Sequence, residues 1–396
     1  QNDSQLTYSF SETTLDNGLR IVAEHSNDAA TAAIGFFVKT GARDEETPLM
    51  GVSHFLEHMM FKGTETRTAE QVDLAFDNLG AEHNAFTSSE MTAFWGAGLP
   101  EVIGNIEEIL ADILRPSLRE VDFDDEKKVI LEEIAMYDDQ PFWVLYENAM
   151  EQYYGSSPLG HRVLGTNQTI NEMNRDELAG YFEQRYSADN TIIAIAGRVD
   201  FDNIVAQIEL HCRQWKRTGA TRTYENIQRH SGKFQKNIED LHQHYLMMMM
   251  PSASFQDDRK HAVGALASIF GGGDGSRLHW ALVDSGLAEA AAATADTSDL
   301  FGEQLAWSVC DPRHAEQVSD TIRSEMKSLV SSLVEDDLAK VVAKAGTAAA
   351  VGSERPSGRM RRLGSMLTTS GSYTSLEDEL HAIETLTLKD LQEAAE

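Results

Sequence analysis

Cysteine is nearly missing from this chain: Cys212 and Cys310 are its only two in 396 residues. Two thiols cannot build a disulfide framework or a Cys-rich metal site, so any metal must be held by histidine and carboxylate. Positive charge is scarce as well, with 33 Lys and Arg against 64 Asp and Glu and a formal net charge of −31. That balance excludes the basic surface a nucleic acid or an anionic membrane needs, and it favours neutral or cationic ligands. Long apolar runs are absent too. The longest, Tyr245 to Met250 and Ile192 to Ala196, are strand-sized, far short of the ~18 residues that cross a bilayer. The opening Gln1-Asn-Asp-Ser has neither the basic flank nor the apolar stretch of a signal peptide, and no initiator Met. It reads as a trimmed or processed soluble chain whose compartment stays open, periplasmic or cytoplasmic in a bacterial source. With only 8 Pro and 28 Gly, low complexity is excluded, and the length suits two or three domains at about 150 residues each.

What is present is a repeat. Ile34 to Val38 reads as a buried strand, followed by a polar loop and an apolar-periodic stretch ending Met59-Met-Phe-Lys-Gly63. About 209 residues later the order recurs: strand Tyr245 to Met250, polar loop Ser252 to Arg259, and a stretch ending Ser268-Ile-Phe-Gly-Gly272. Phe61 pairs with Phe270, and Asp124-Asp-Glu-Lys-Lys-Val129 resembles Asp336-Asp-Leu-Ala-Lys-Val341. The expectation is an α+β fold of two tandem, structurally similar domains. Between them Arg213 to Lys236 carries seven basic residues and one acid, a composition shift that marks a solvated connector. The boundaries follow as 1–218, a linker 219–236, and 237–396.

Periodicity in the first half predicts strands at 19–24 and 32–40, a helix 47–61 started by Pro48 and stopped by Gly63, and a helix 69–79. A hairpin follows at 82–87 and 91–99, then helices 103–114, 123–138 and 144–154. The half closes with helix 176–186, strand 190–196 and helix 202–215.

Chemistry concentrates on the helix that ends at residue 61. His54 and His58 lie at i and i+4, so both imidazoles leave one face and can grip one ion, with Glu57 beside them. Neutral imidazoles suit zinc, and a catalytic zinc takes three protein ligands plus an open position. Glu57, held between the histidines, is better placed to take a proton than to bind the metal. A His pair on an amphipathic helix is otherwise a surface feature, so a third ligand decides the matter. Glu126 and Glu133, two helical turns apart on the face of Val129, Ile130 and Ile134, offer one. Glu133 could complete the set and Glu126 could polarise a ligand or the water. The bland alternative is an acid-rich helix in an acid-rich chain.

His54-Phe-Leu-Glu-His58, then Glu133 with Glu126 before it, resembles the inverted zinc motif of the pitrilysin and mitochondrial processing peptidase family, the inverzincins. The likeness extends to Phe61-Lys-Gly-Thr64, to Asn84-Ala-Phe-Thr87 with Ser89-Glu90, and to the glycine-rich Phe270-Gly-Gly-Gly-Asp-Gly-Ser-Arg-Leu278. It implies a zinc endopeptidase with ligands His54, His58 and Glu133 and general base Glu57. It further implies Asn84 and Ala85 on an edge strand that pairs with substrate backbone. Each domain is then a mainly antiparallel sheet packed with helices, the pair forming half of a clamshell, and two such chains enclose a chamber that admits unfolded peptides or presequences.

Two departures accompany the likeness. At the 209 offset the motif falls on Val263, Leu266 and Ala267, so the second half has no such metal site. Nor do His242 and His244, alternating on one strand, find a third ligand at recognisable spacing. Where active relatives carry an Arg and, seven residues on, a Tyr that hold substrate, this chain has Leu282 and Glu289. The resemblance therefore implies a dimer, with the catalytic chain paired to a homologous subunit that supplies the Arg and Tyr. A catalytically silent core subunit and a zinc-stabilised interaction protein are the alternatives.

Overall fold

The computed structural model describes residues 7–224 and 226–395. The opening Gln1–Ser4 lies outside the described residues. In chain order the strands are β1 (Ser9–Thr14), β2 (Arg20–His25), β3 (Ala32–Val38), β4 (Glu82–Thr87), β5 (Thr92–Gly98), β6 (Thr191–Gly197), β7 (His244–Pro251), β8 (Ala290–Ser298) and β9 (Phe301–Cys310). The helices are α1 (Val52–Met60), α2 (Ala69–Asn78), α3 (Ile103–Ile113), α4 (Glu120–Asp138), α5 (Pro141–Tyr154), α6 (Asn167–Glu172) and α7 (Arg175–Arg185). They continue as α8 (Phe201–Cys212), α9 (Lys260–Gly271), α10 (Ala315–Leu329), α11 (Glu335–Glu354), α12 (Pro356–Ser370), α13 (Leu376–Glu384) and α14 (Leu388–Ala394). Among the described residues no helix is long and apolar enough to cross a membrane.

The chain forms two compact units that interleave along the sequence. The first takes in Gln1–Tyr137, Ser156–Gln228 and Gly352–Tyr373; the second takes in Asp138–Gly155, Arg229–Val351 and Thr374–Glu396. The sequence reading drew continuous blocks instead, because a boundary read from composition follows the chain and contacts need not.

In the first unit six strands form one sheet in the order β1-β2-β6-β3-β5-β4, antiparallel except where β2 runs parallel to β6. Every residue of β3 is buried, since both faces of the sheet are covered. Ile34, Phe36 and Val38 join the main core with Phe55, Leu56, Phe94 and Ile106. On the other face α12 lies along β3 and β6. It comes close because Gly364 has no side chain: a Cβ there would stand 2.2 Å from the Phe37 ring. Two arginines of α12, Arg359 and Arg362, each reach a carboxylate oxygen of the buried Glu24 on β2 at 2.9 Å.

The second unit has an antiparallel sheet in the order β7-β9-β8. One face carries α9 and α10 over a core of Leu266, Ile269, Phe270, Leu282, Ala306 and Ile322. The other meets α5, through Phe142 on Trp307 at 5.2 Å and Tyr154 on Phe301 at 6.1 Å between ring centres. The fold is thus α+β, with related strand and helix order in both units.

Three local expectations need correction. The helix expected over 47–61 is a separate 3-10 turn, Thr47–Leu49, followed by α1 from Val52. Gly51 divides them at φ +96°, a conformation L side chains avoid, and a Cβ there would meet Leu164 O at 2.7 Å. Val129, placed on an apolar face of α4, is 46% exposed, whereas Ile130 and Ile134 are buried. The basic stretch is not wholly a solvated connector either, because the Arg222 side chain is only 2% exposed.

Candidate metal centre

Helix α1 presents Phe55, Leu56 and Met59 to the core, which turns His54, Glu57 and His58 toward α4 and β4. Phe55 stacks on Phe123 of α4 with ring centres 4.7 Å apart, fixing one helix against the other. Packing of Ile130 and Ile134 then sets the rotation of α4 and brings Glu133 to the histidines.

The three side chains converge. His54 Nε2 stands 3.2 Å from His58 Nε2, and Glu133 Oε2 lies 3.6 Å from the first and 3.5 Å from the second. Among the described residues this is the only group of three or more His, Cys, Asp or Glu gathered closely enough to hold a metal. The donor set fits zinc: ligand atoms about 2.0–2.1 Å from a tetrahedral ion sit roughly 3.3–3.5 Å from one another.

The two histidines differ in protonation. Burial pushes His54 down to about 3, with His58 opposing its charge as well, so its ring is neutral. His58 Nδ1 lies 2.8 Å from Glu126 Oε1, an acceptor, so Nδ1 carries the hydrogen, and Nε2 offers its lone pair once the ring is neutral. Burial lowers His58, but the Glu126 hydrogen bond and the charges of Glu126, Glu133 and Glu57 outweigh it and raise the net value. His54 Nδ1 is buried without a partner. Two facing imidazole nitrogens with a carboxylate oxygen against both are a ready cradle for a cation.

Glu126 is doubly engaged: Oε1 accepts from His58 and Oε2 meets Lys62 Nζ at 2.6 Å. Burial raises its carboxyl, yet those two partners prevail and lower it. Glu57 stands apart from the three donors. Its Oε2 accepts from Thr87 Oγ1 at 2.6 Å, and burial raises its carboxyl despite that bond. Thr87 ends β4, one of the two edge strands of the six-stranded sheet. Asn84 and Ala85 lie on that strand, where Asn84 Oδ1 accepts from the Ala85 N–H at 2.8 Å. Ser88 N–H donates to Met91 O at the hairpin turn. Counting back by alternation, the Ala85 N–H points away from β5 toward the open edge.

Sequence reasoning named Lys62 and Thr87 only within segments of the family likeness, without these partners, and did not single out Glu45, whose two oxygens accept from Gly51 and Ser53 N–H. Lys62 follows His58 by one helical turn, a signal that spacing carries; Glu45 gives none. In the second unit, Val263, Leu266 and Ala267 are core residues of α9. Leu282 is fully buried, and Glu289 accepts from Gln243.

Comparison with known proteins gives this arrangement its relatives. The model of "Insulinase (Peptidase family M16)" matches residues 20–167, and "Peptidase M16 inactive domain" matches 172–344. A Streptomyces coelicolor protein named an uncharacterized zinc protease is 30% identical over 399 residues, spanning 97% of this chain and 86% of its own. A Mycobacterium leprae protein of the same description is 29% identical, spanning 97% and 88%. Among solved structures, a protease from Helicobacter pylori superposes with a TM-score of 0.91 at 21% identity, over 99% of this chain and 96% of its own. An M16-like peptidase from Alicyclobacillus acidocaldarius gives 0.82 at 20%, over 99% and 95%. These likenesses carry the fold across both units. With 30% identity over nearly its whole length, the chain belongs to the insulinase-type peptidase family M16.

Proposed function

We propose that the chain is a zinc-dependent endopeptidase that cleaves unfolded peptides or presequences, with His54, His58 and Glu133 as ligands and Glu57 as general base. The carrying observation is the set of three donor atoms 3.2 to 3.6 Å apart with Glu57 outside it. When bound, zinc supplies Lewis acidity and draws the pKa of a coordinated water toward about 7.

The remaining roles belong to side chains. Glu57 takes the proton from the attacking water and later returns it to the leaving amine, its burial making it a stronger base than an exposed carboxylate. Thr87 orients the Glu57 carboxylate by donating to Oε2. Glu126 fixes the His58 tautomer, and Lys62 fixes Glu126. The substrate adds as a strand on β4, where Asn84 and Ala85 meet its backbone. The net charge of −31 favours peptides with basic residues near the cut.

With Leu282 and Glu289 where an Arg and a Tyr are expected, the active form is a dimer with a homologous subunit that supplies them. Cleavage of an unfolded basic peptide tests the assignment. Activity lost to a chelator and restored by zinc is expected, together with a Glu57→Gln variant that keeps stoichiometric zinc and loses turnover. Zinc without cleavage under all pairings would favour a silent core subunit, and loss of metal from Glu57→Gln would contradict the role given to that residue.

A further inference from the structure

Helix α1 begins without a cap of its own. Its N-cap is Gly51, which has no side chain to accept from the first amides. Glu45 fills the gap from outside the helix: Oε2 accepts from Gly51 N–H and Oε1 from Ser53 N–H, each at 2.8 Å. Its residue is 2% exposed, and its position suits a negative group at the positive end of the helix dipole. Ser53 Oγ lies 3.2 Å from Tyr181 OH, which in turn lies 2.7 Å from Thr40 Oγ1. His54 follows Ser53 directly, in the same first turn.

The residues just before Glu45 are tied to the other half of the proposed site. Ala42 and Arg43 N–H donate to Ser88 O and Ser89 O at 3.2 and 2.9 Å, in the turn joining β4 to β5. Arg43 pairs with Glu90 of that turn. Asp44 takes Arg222 through two bonds of 2.8 and 2.7 Å and has Arg185 at 3.3 Å. Arg222 also donates to Glu90 O. Residues 42–45 therefore have one end locked to the hairpin of the edge strand and the other to the amides that start α1.

We propose that Glu45 is a positioning residue for the metal centre: its buried carboxylate fixes the first turn of α1, and with it His54, before the ion binds. This rests on the zinc reading of His54, His58 and Glu133. A tetrahedral ion tolerates little displacement of a donor, so a frayed first turn moves His54 out of register with Glu133 while the core face of α1 stays in place.

Zinc affinity by chelator competition at pH 8, with thermal melting alongside, tests this on the full chain, on Glu45→Gln and on Ile208→Val. Glutamine keeps the shape but replaces one acceptor with an amide donor facing an N–H. Glu45→Gln is expected to weaken zinc about tenfold. Ile208→Val, which trims the core under α8, lowers the melting temperature and leaves zinc affinity as it was. Unchanged zinc affinity in Glu45→Gln overturns the proposal, leaving only a scaffold role. Failure of the unsubstituted chain to bind zinc overturns the ligand assignment instead. If Glu45→Gln does not fold, amide exchange in the unsubstituted, metal-free chain decides. Protected Gly51 and Ser53 amides are expected, and exchange at loop rates counts against it.

Discussion

At the scale of the residue, the site is a set of buried and half-buried ionisable groups whose neighbours shift several of them from their ordinary values. His54 is neutral because water is excluded, Glu126 is charged because His58 and Lys62 face it, and Glu57 is raised because only Thr87 and His58 offset its burial. Glu45 shows the cost of such burial. Loss of solvation pushes its carboxyl from an ordinary 4.5 up to about 7, and the two backbone N–H groups oppose this without cancelling it. The folded chain therefore holds a proton there that the unfolded chain has released. Its contribution is fully present below 4.5 and is lost as pH rises through about 7. Denaturant unfolding across that window should show stability falling by on the order of 1 to 3 kcal/mol from this group. Glu45→Gln should flatten that part of the profile, and an unaltered slope would place the dependence elsewhere.

Elements fix how those residues meet. The edge strand β4 ends at Thr87, so a peptide paired along β4 runs past Glu57. Ala85→Pro removes an N–H that points to the open edge, a place where proline is tolerated. It should raise KM roughly tenfold or more by removing that contact, with zinc content and melting temperature near those of the parent; an unchanged KM would show that substrate does not pair there. The stretch after α8 behaves otherwise than its composition implies, because Arg222 is buried between Asp44 and Glu90. Cutting it to alanine leaves those carboxylates short of a counter-charge. Arg222→Ala should cost roughly 3 kcal/mol in denaturant unfolding, and a loss below the size of a surface pair would mean that Arg185 and Arg43 suffice.

For the whole molecule, the two units share an order of strand, helix and hairpin, yet α1 in the first carries two histidines of the candidate metal centre, whereas α9 at the matching place carries core. Val263, Leu266 and Ala267 are buried where His54, Glu57 and His58 stand in the first unit. With Leu282 sealed in the second core and Glu289 engaged by Gln243, neither side chain substitutes for a substrate-holding Arg or Tyr. The purified chain alone should cleave peptides weakly, and mixing with a homologous subunit that carries the pair should raise turnover by orders of magnitude. Full activity from the chain as a homodimer would refute the need for a second kind of subunit.

Sequence alone determined what is local. The i, i+4 histidines with Glu57, the hairpin over 82–99 and the second helix at 69–79 were legible because helix and strand periods act over a few residues. The 209-residue repeat was legible because related units keep related hydrophobic patterns. Only the tertiary structure brought Glu133 to within 3.6 Å of the imidazoles, since that approach depends on how α1 packs against α4. It alone placed α12 in the first unit, where Gly364 admits Phe37 and Glu24 receives two arginines. It alone turned Glu45 and Arg222 from unremarked charges into buried anchors, because the partners that neutralise a charge across a fold leave no period along the chain.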